Sequence, residues 1–175
     1  VLNGEVSVGA DVYAAKGASA DGTEWTVLEN YGKTGASIKM LPVYTDDYAS
    51  GEGPWVEYKV YVPAGEPSGN YRLTAFFGQS NNISFDEGNH LNVGLQVNGS
   101  TVATKNCLDN GYVAGDSWQW NNNIFNAGHT MNFGSVSLNA GENTIRIYGM
   151  DQNVLLQKLV LVSGDKDPKA SFAGP

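Results

Sequence analysis

Along most of the chain, hydrophobic and polar positions alternate with a period of two. Residues 55–62 read Trp-Val-Glu-Tyr-Lys-Val-Tyr-Val, which places Val56, Tyr58, Val60 and Val62 on one face and Glu57 and Lys59 on the other. Pro63 and Gly65 stop that run. The same pattern predicts strands over 70–77, 90–97 and 101–105. The last two are joined by the hairpin signal Asn98-Gly99, with Leu91, Val93, Leu95 and Val97 facing inward. Residues 131–138, 143–148 and the apolar run 154–162 follow, and weaker strands fit 5–8, 25–28 and 36–40. No stretch holds a helical period. Short strands punctuated by Gly, Asn and Pro predict an all-β fold, an antiparallel β-sandwich or jelly roll. The expected organisation is one domain over 1–162 and a tail over 163–175. Two segments are long for loops of such a domain, 42–54 and 106–127, and long loops in a compact all-β domain are either functional or poorly ordered.

Charge narrows the range of partners. The 175 residues carry 18 acidic and 10 basic groups, a net charge of -8, and only 16% are charged. That balance excludes nucleic acid and anionic membrane surfaces, both of which need a basic footprint. No apolar run approaches the roughly 18 residues of a membrane-spanning helix. The sole cysteine, Cys107, excludes an internal disulfide and a cysteine-based zinc site, and reads as a small core residue. The chain starts Val-Leu-Asn without Met, a basic n-region or an apolar h-region, so it is expected to be a processed protein or a piece of a longer one.

Catalytic chemistry is sparsely provided for. The two histidines, His90 and His129, have no G-x-S-x-G elbow to serve, and a Cys107/His129 pair competes with a core cysteine beside a surface histidine. The acid pairs Asp46-Asp47, Asp86-Glu87 and Asp109/Asp116 would suit glycoside hydrolysis if two carboxylates stood about 5–9.5 Å apart across a cleft. All lie in turn-rich segments, where acids cap and solubilise. Asp46, Asp47 and Glu52 form the densest set of oxygen ligands for calcium, without EF-hand spacing. Asn82-Ile83-Ser84 and Asn98-Gly99-Ser100 match the glycosylation acceptor pattern.

Aromatic and amide groups are concentrated over 117–123, Ser-Trp-Gln-Trp-Asn-Asn-Asn. On a strand Trp118 and Trp120 would share a face; in a loop they could frame a groove; packed inward they would be core and rim. A flat ring to stack on, flanked by amides that donate and accept, matches the apolar faces and hydroxyl rims of sugars. Tyr31, Tyr44 and Tyr48 add rings in loops.

Three segments together resemble a known family. The run from Trp25 through Tyr31, Gly32, Lys33 and Thr34 to Gly35 looks like a "W…GLGRTG" segment, and the run from Gly141 through Met150, Asp151 and Gln157 to Val160 looks like "GxHTLKV…MVDPGVVLQKIV". The ending, Lys169 to Pro175, is similar to "KPSYLGPP", and Trp118 to Phe125 also fits. These segments occur in this order in the C-terminal accessory domain of glycoside hydrolase family 115, the xylan α-glucuronidases. The resemblance implies a galactose-binding-like β-sandwich akin to carbohydrate-binding modules of families 35 and 6, attached to a catalytic domain upstream. No catalytic residue is therefore carried over. In those modules an N-terminal "EAE" and an acid in the final strand hold a structural calcium. The matching places here read Val8-Gly9-Ala10-Asp11 and Gln157-Lys158, which leaves one carboxylate, and no cofactor is expected.

The resulting expectation is a non-catalytic carbohydrate-binding module of a secreted, cell-surface or periplasmic system that degrades plant polysaccharide. Its partners would be an oligosaccharide or polysaccharide of the xylan or glucuronoxylan class and the parent catalytic domain. Tyr31, Trp118 and Trp120 would stack on sugar, Asn121 and Asn123 would bond hydroxyls, and Lys33 would pair with a uronate. The alternative is a structural domain that packs on its parent enzyme or dimerises, with Trp118 in the core so that Trp118→Ala unfolds it. An independent small hydrolase is the third reading.

Overall fold

The computed structural model describes residues 1–33, 35–44, 46–83, 89–164 and 166. Eleven strands are formed among them: β1 (Glu5–Gly9), β2 (Ala15–Gly17), β3 (Glu24–Leu28), β4 (Ser37–Leu41), β5 (Trp55–Val62), β6 (Gly69–Phe77), β7 (Asn92–Val97), β8 (Ala103–Asn106), β9 (His129–Leu138), β10 (Gly141–Gly149) and β11 (Leu155–Ser163). They build two antiparallel sheets packed as a sandwich. One runs β3-β4-β11-β6-β9, with β1 also on β11; the other runs β2-β5-β10-β7-β8. The tail over 163–175 and the Asp86-Glu87 pair lie almost wholly outside the described residues.

Alternation decides which face each strand buries. In β5 the inward Val56, Tyr58, Val60 and Val62 are buried while Lys59 and Tyr61 are exposed. Its neighbour β10 contributes Ile145 and Ile147, and β6 of the opposite sheet contributes Leu73 and Ala75, to the same core. The strand β11 differs because both its faces are covered. Leu159 and Leu161 enter the main core, and Val160 and Val162 pack with Phe76 on the opposite face. This is why its sequence reads as a continuous apolar run rather than an alternation.

Two buried aromatic residues tie loops to this core through their polar ends. Trp25 is fully buried and its Nε1–H donates to the Pro54 carbonyl at 3.0 Å; the Tyr58 hydroxyl donates to the Ala10 carbonyl at 2.8 Å. Burial pushes the Tyr58 phenol well above its ordinary value and keeps that donor in place. The 42–54 segment is held by residue 152 as well. Gln152 Nε2 donates to the Asp46 carbonyl at 2.9 Å and Asp47 Oδ1 lies 3.4 Å from the Gln152 N–H. Asp47, a candidate calcium ligand by sequence, thus faces the backbone of the β10–β11 turn. Tyr48 likewise serves the fold, donating to Asp21 Oδ2 at 2.7 Å. Donors from Ser19, the Thr23 N–H and Tyr48 hold the Asp21 carboxyl well below the usual range. Its stabilising contribution is therefore present above the ordinary carboxylate pKa and is lost as pH falls through the lowered one.

Two features depart from the sequence reading. The strand β2 was not foreseen, and residues 118–125 of the second long segment form a helix, α1 (Trp118–Phe125). Ser117 caps it, its hydroxyl accepting from the Trp120 N–H at 3.1 Å. The Asn98-Gly99 hairpin is as expected, with both residues at positive φ (51° and 71°). Asn98 uses both ends of its amide to tie the turn to β10, donating to Asn143 Oδ1 and accepting from the Thr144 N–H. Cys107 is fully buried, as expected, but His129 is buried rather than on the surface, and its Nε2 meets the Cys107 carbonyl instead of the thiol.

In urea denaturation, Trp25→Ala is expected to lose about 3–5 kcal/mol, since it empties a packed site and orphans a carbonyl. Trp118→Ala, at 74% exposure, should stay within about 0.5 kcal/mol of wild type. Equal losses would show that the indoles have been placed wrongly.

Candidate functional site

The loops after β3, β6 and β10 meet at one end of the first sheet, because β4, β11 and β6 are neighbours there. Between them lies a cavity of about 280 Å³ lined by Tyr31, Lys39, Gln79, Ser80, Asn81, Asn153 and Leu155. Tyr31 is 63% exposed and presents its ring at the rim. Lys39 Nζ donates to Asn153 Oδ1 at 2.5 Å, and Asn153 Nδ2 donates to the Asn81 carbonyl at 3.0 Å. Asn153 holds a left-handed backbone, φ 73°, which asparagine tolerates better than most residues and which turns its amide between the two loops. Burial lowers the Lys39 ammonium pKa from its ordinary value.

Beneath the rim, Tyr112 acts as a prop. Its hydroxyl accepts from Gln79 Nε2 at 3.0 Å and lies 3.1 Å from the Ser80 carbonyl and 3.2 Å from Asn81 Oδ1. Burial raises its phenol pKa, so the proton needed for one of those acceptors is retained. Gln79 Oε1 is buried without a partner among the described residues. The cavity therefore offers one aromatic face, one cation, and amide or hydroxyl groups of both polarities.

A second cavity, about 290 Å³, lies beside α1 and includes Lys33, Asp109, Asn122, Asn123, His129 and Thr130. Asn123 is fully buried and its Nδ2 lies 3.2 Å from Asp109 Oδ2. The two cavities flank a single loop, to which Tyr31 and Lys33 both belong. That loop rests on Gln157. The register of β11 against β6 shifts between Leu156 and Lys158, so Gln157 is the extra residue of a β-bulge. Its backbone carbonyl accepts from the Ala10 N–H at 2.8 Å, and its side-chain Oε1 accepts from the Lys33 N–H at 2.9 Å. Gly78 passes alongside, where a Cβ would collide with Leu155 and crowd Gln157 Nε2.

This arrangement bears on calcium. One place where the resemblance would put an acid holds a neutral amide already engaged by a backbone donor, and Asp11 is exposed. Among the described residues no group of three His, Cys, Asp or Glu side chains could hold a metal. At the places to which the resemblance points, the described residues do not fit a calcium site.

Of the six residues singled out by sequence, the structure brings Lys33 and Asn123 together in the second cavity and places Tyr31 at the first. The other three line neither. Two residues on a helix point about 200° apart, so Trp118 faces outward while Trp120 packs on the core, and the shared face expected on a strand is lost. Asn121 is exposed and donates back to the Ser117 carbonyl at 3.0 Å. Lys39, Gln79, Asn81 and Asn153 were missed. For the amides the available signal was the two clusters, 79–82 and 152–153, each within three residues of the end of a strong strand.

Comparison with known proteins follows this geometry. The profile of the glycosyl hydrolase family 115 C-terminal domain matches residues 2–175. No curated protein matches the sequence. Among solved structures, a GH26-CBM35 β-(1,4)-mannanase from Podospora anserina is 19% identical with a TM-score of 0.57, covering 95% of this chain and 29% of its own. A family 35 carbohydrate binding module from Clostridium thermocellum is 19% identical with a TM-score of 0.57, covering 90% of this chain and 98% of its own. A family GH115 4-O-methyl-α-glucuronidase, BtGH115A, with specificity for decorated arabinogalactans, is 9% identical with a TM-score of 0.58, covering 87% of this chain and 18% of its own. The chain thus spans less than a third of the mannanase and less than a fifth of the glucuronidase. At these identities the likeness shows a shared fold.

Calcium or EDTA should leave the melting temperature unchanged, because a ligand that binds only the folded state would raise it. A rise of several degrees with calcium would contradict the conclusion that these residues do not fit a calcium site.

Proposed function

The chain belongs to the glycosyl hydrolase family 115 C-terminal domain family, and from that membership we propose that it is a non-catalytic module that binds carbohydrate at the Tyr31 cavity. The observation that carries this reading is the lining of that cavity. An exposed ring stands over a compact set of amides, a hydroxyl and an ammonium, with Leu155 the one aliphatic member. A sugar ring stacked on Tyr31 would bury its apolar face while its hydroxyls reach Asn81 and Asn153. The module would serve a larger secreted enzyme acting on plant polysaccharide, with xylan or glucuronoxylan as the ligand class.

A uronate would be received by Lys39 rather than by Lys33. Lys39 lies within the stacking cavity, whereas Lys33 shares its cavity with the Asp109 carboxylate, which opposes an anion. Because burial lowers the Lys39 pKa, an anionic ligand is favoured below that lowered value and loses its partner charge as pH rises through it.

A second reading has one observation in its favour. The outward side of α1 exposes Trp118 and Phe125 (74% and 87%), with Ile124 beside them, and an apolar patch of that kind can mark a surface that packs on another domain. Hydrogen exchange of α1 in the separate chain and in the intact enzyme distinguishes the two arrangements; equal protection would remove the packing role.

Titration calorimetry with xylo-oligosaccharides, glucuronoxylan and glucuronic acid tests the main reading. Heats of binding are expected with at least one of them. Tyr31→Ala should weaken that binding about tenfold, equivalent to about 1.4 kcal/mol. Trp118→Ala should leave it unchanged. For the uronate, Lys39→Met should remove the loss of affinity at alkaline pH. Flat heats with every sugar would sink the proposal.

A further inference from the structure

A third cavity lies along the open side of the sandwich and shares no residue with the other two. The strand β9 ends one sheet and β8 ends the other, and between these edges runs a groove of about 260 Å³ whose lining includes Leu95, Val97, Phe133 and Val136. The strands explain why it is open. The pairing of β6 with β9 passes from Leu73 opposite Gly134 to Thr74 opposite Asn132, so Phe133 is an extra residue that packs into the core. Gly134, at φ 90°, brings no side chain to the gap, and on the other edge β8 is only four residues long.

Orientation on β8 follows from its register. Ala103 and Lys105 stand opposite Leu95 and Val93, which are buried on the core face, so both point to that face as well. Lys105 reaches towards the other sheet, its Nζ standing 3.9 Å from where a Cβ on Gly134 would lie. An inward lysine discourages pairing at a free edge. Here that lysine is half-buried, forms no ion pair among the described residues, and lines the groove with no acidic side chain in the same lining.

The accessible part of the groove selects the ligand. Leu95, Phe133 and Val136 are nearly buried and form its backing, while Val97, Ala103 and Lys105 keep surface open to solvent. Phe133 is 3% exposed and offers no ring face, so a sugar has nothing to stack on. An ammonium without a counter-ion beside an aliphatic wall complements a carboxylate carried on an apolar body. The groove is smaller than the roughly 300–1,000 Å³ of pockets for drug-sized ligands, which limits that body to one ring or a short chain.

We propose that the groove between β8 and β9 binds a small carboxylic acid with an apolar body, its carboxylate on Lys105 and its body against Val97 and Ala103. The inference is independent of the carbohydrate-binding reading, since neither Tyr31 nor Lys39 takes part.

Calorimetry of the 175-residue chain with cinnamate and hexanoate, each beside its neutral amide, tests it, with backbone amide chemical shifts to locate the site. At least one acid should bind, about tenfold or more tightly than its amide, and shift residues 95–105 and 133–137. Lys105→Met keeps the stem and should bring the acid down to the affinity of the amide, whereas Lys105→Arg should retain it. Ala103→Leu, on the inward side of β8, narrows the groove and should abolish binding; melting curves report whether each variant is folded. Equal affinity for acid and amide, acid binding that survives Lys105→Met, or shifts at Tyr31, Lys39 and Asn153 in place of the groove would overturn the proposal, as would absence of binding by both acids.

Discussion

The bulge at Gln157 is the constraint on which the rest of this end of the molecule depends. The strand β11 is paired along one edge with β6 and along the other with β4 and then β1, so it has no free edge over most of its length. Gln157 falls where β4 leaves and β1 begins, and there the ladder admits an extra residue. The bulge frees a side chain that regular pairing would have held in register, and that side chain carries the Lys33 N–H. The Tyr31–Lys33 loop, which supplies a wall to each cavity, is thereby fixed to the most deeply buried strand of the sheet. A binding surface made of loops gains rigidity only from such attachments, since loops bury little apolar area of their own.

A similar economy appears on the other side of the site. Tyr112, from a segment with no strand in it, holds Gln79, Ser80 and Asn81 through one hydroxyl, and Asn123 and His129 anchor α1 and the start of β9 around Asp109 and Cys107. A second bulge, between Leu73 and Thr74 of the β6–β9 pairing, turns Phe133 into the core against Phe77. The cavities are therefore lined by groups whose neighbours are engaged, while the buried Gln79 Oε1, Asn123 Oδ1 and His129 Nδ1 have no partner among the described residues.

The strands were legible in the sequence to the extent that one face of each meets the core and the other meets solvent. This is why β5 is recovered residue for residue and why β2, three residues long, is not. The helix α1 was hidden for a different reason. Its Asn-rich sequence has weak helical propensity, and Trp118 and Trp120 at a two-residue spacing imitate a strand face. What stabilises it is the Ser117 cap and the packing of Trp120 and Asn123, both of which depend on the finished sandwich. Tyr31 and Lys33 could be found from local sequence because they lie within one motif. Lys39, Gln79, Asn81 and Asn153 could not, since their meeting depends on β4, β11 and β6 being neighbours, a fact of topology that no single segment encodes.

Charge placement connects this topology to recognition. The chain is strongly acidic overall, so a cation in a cavity stands out against the field of the molecule rather than blending into it. Lys39 is that cation in one cavity, tied to the neutral Asn153; in the other, Lys33 shares the lining with the Asp109 carboxylate.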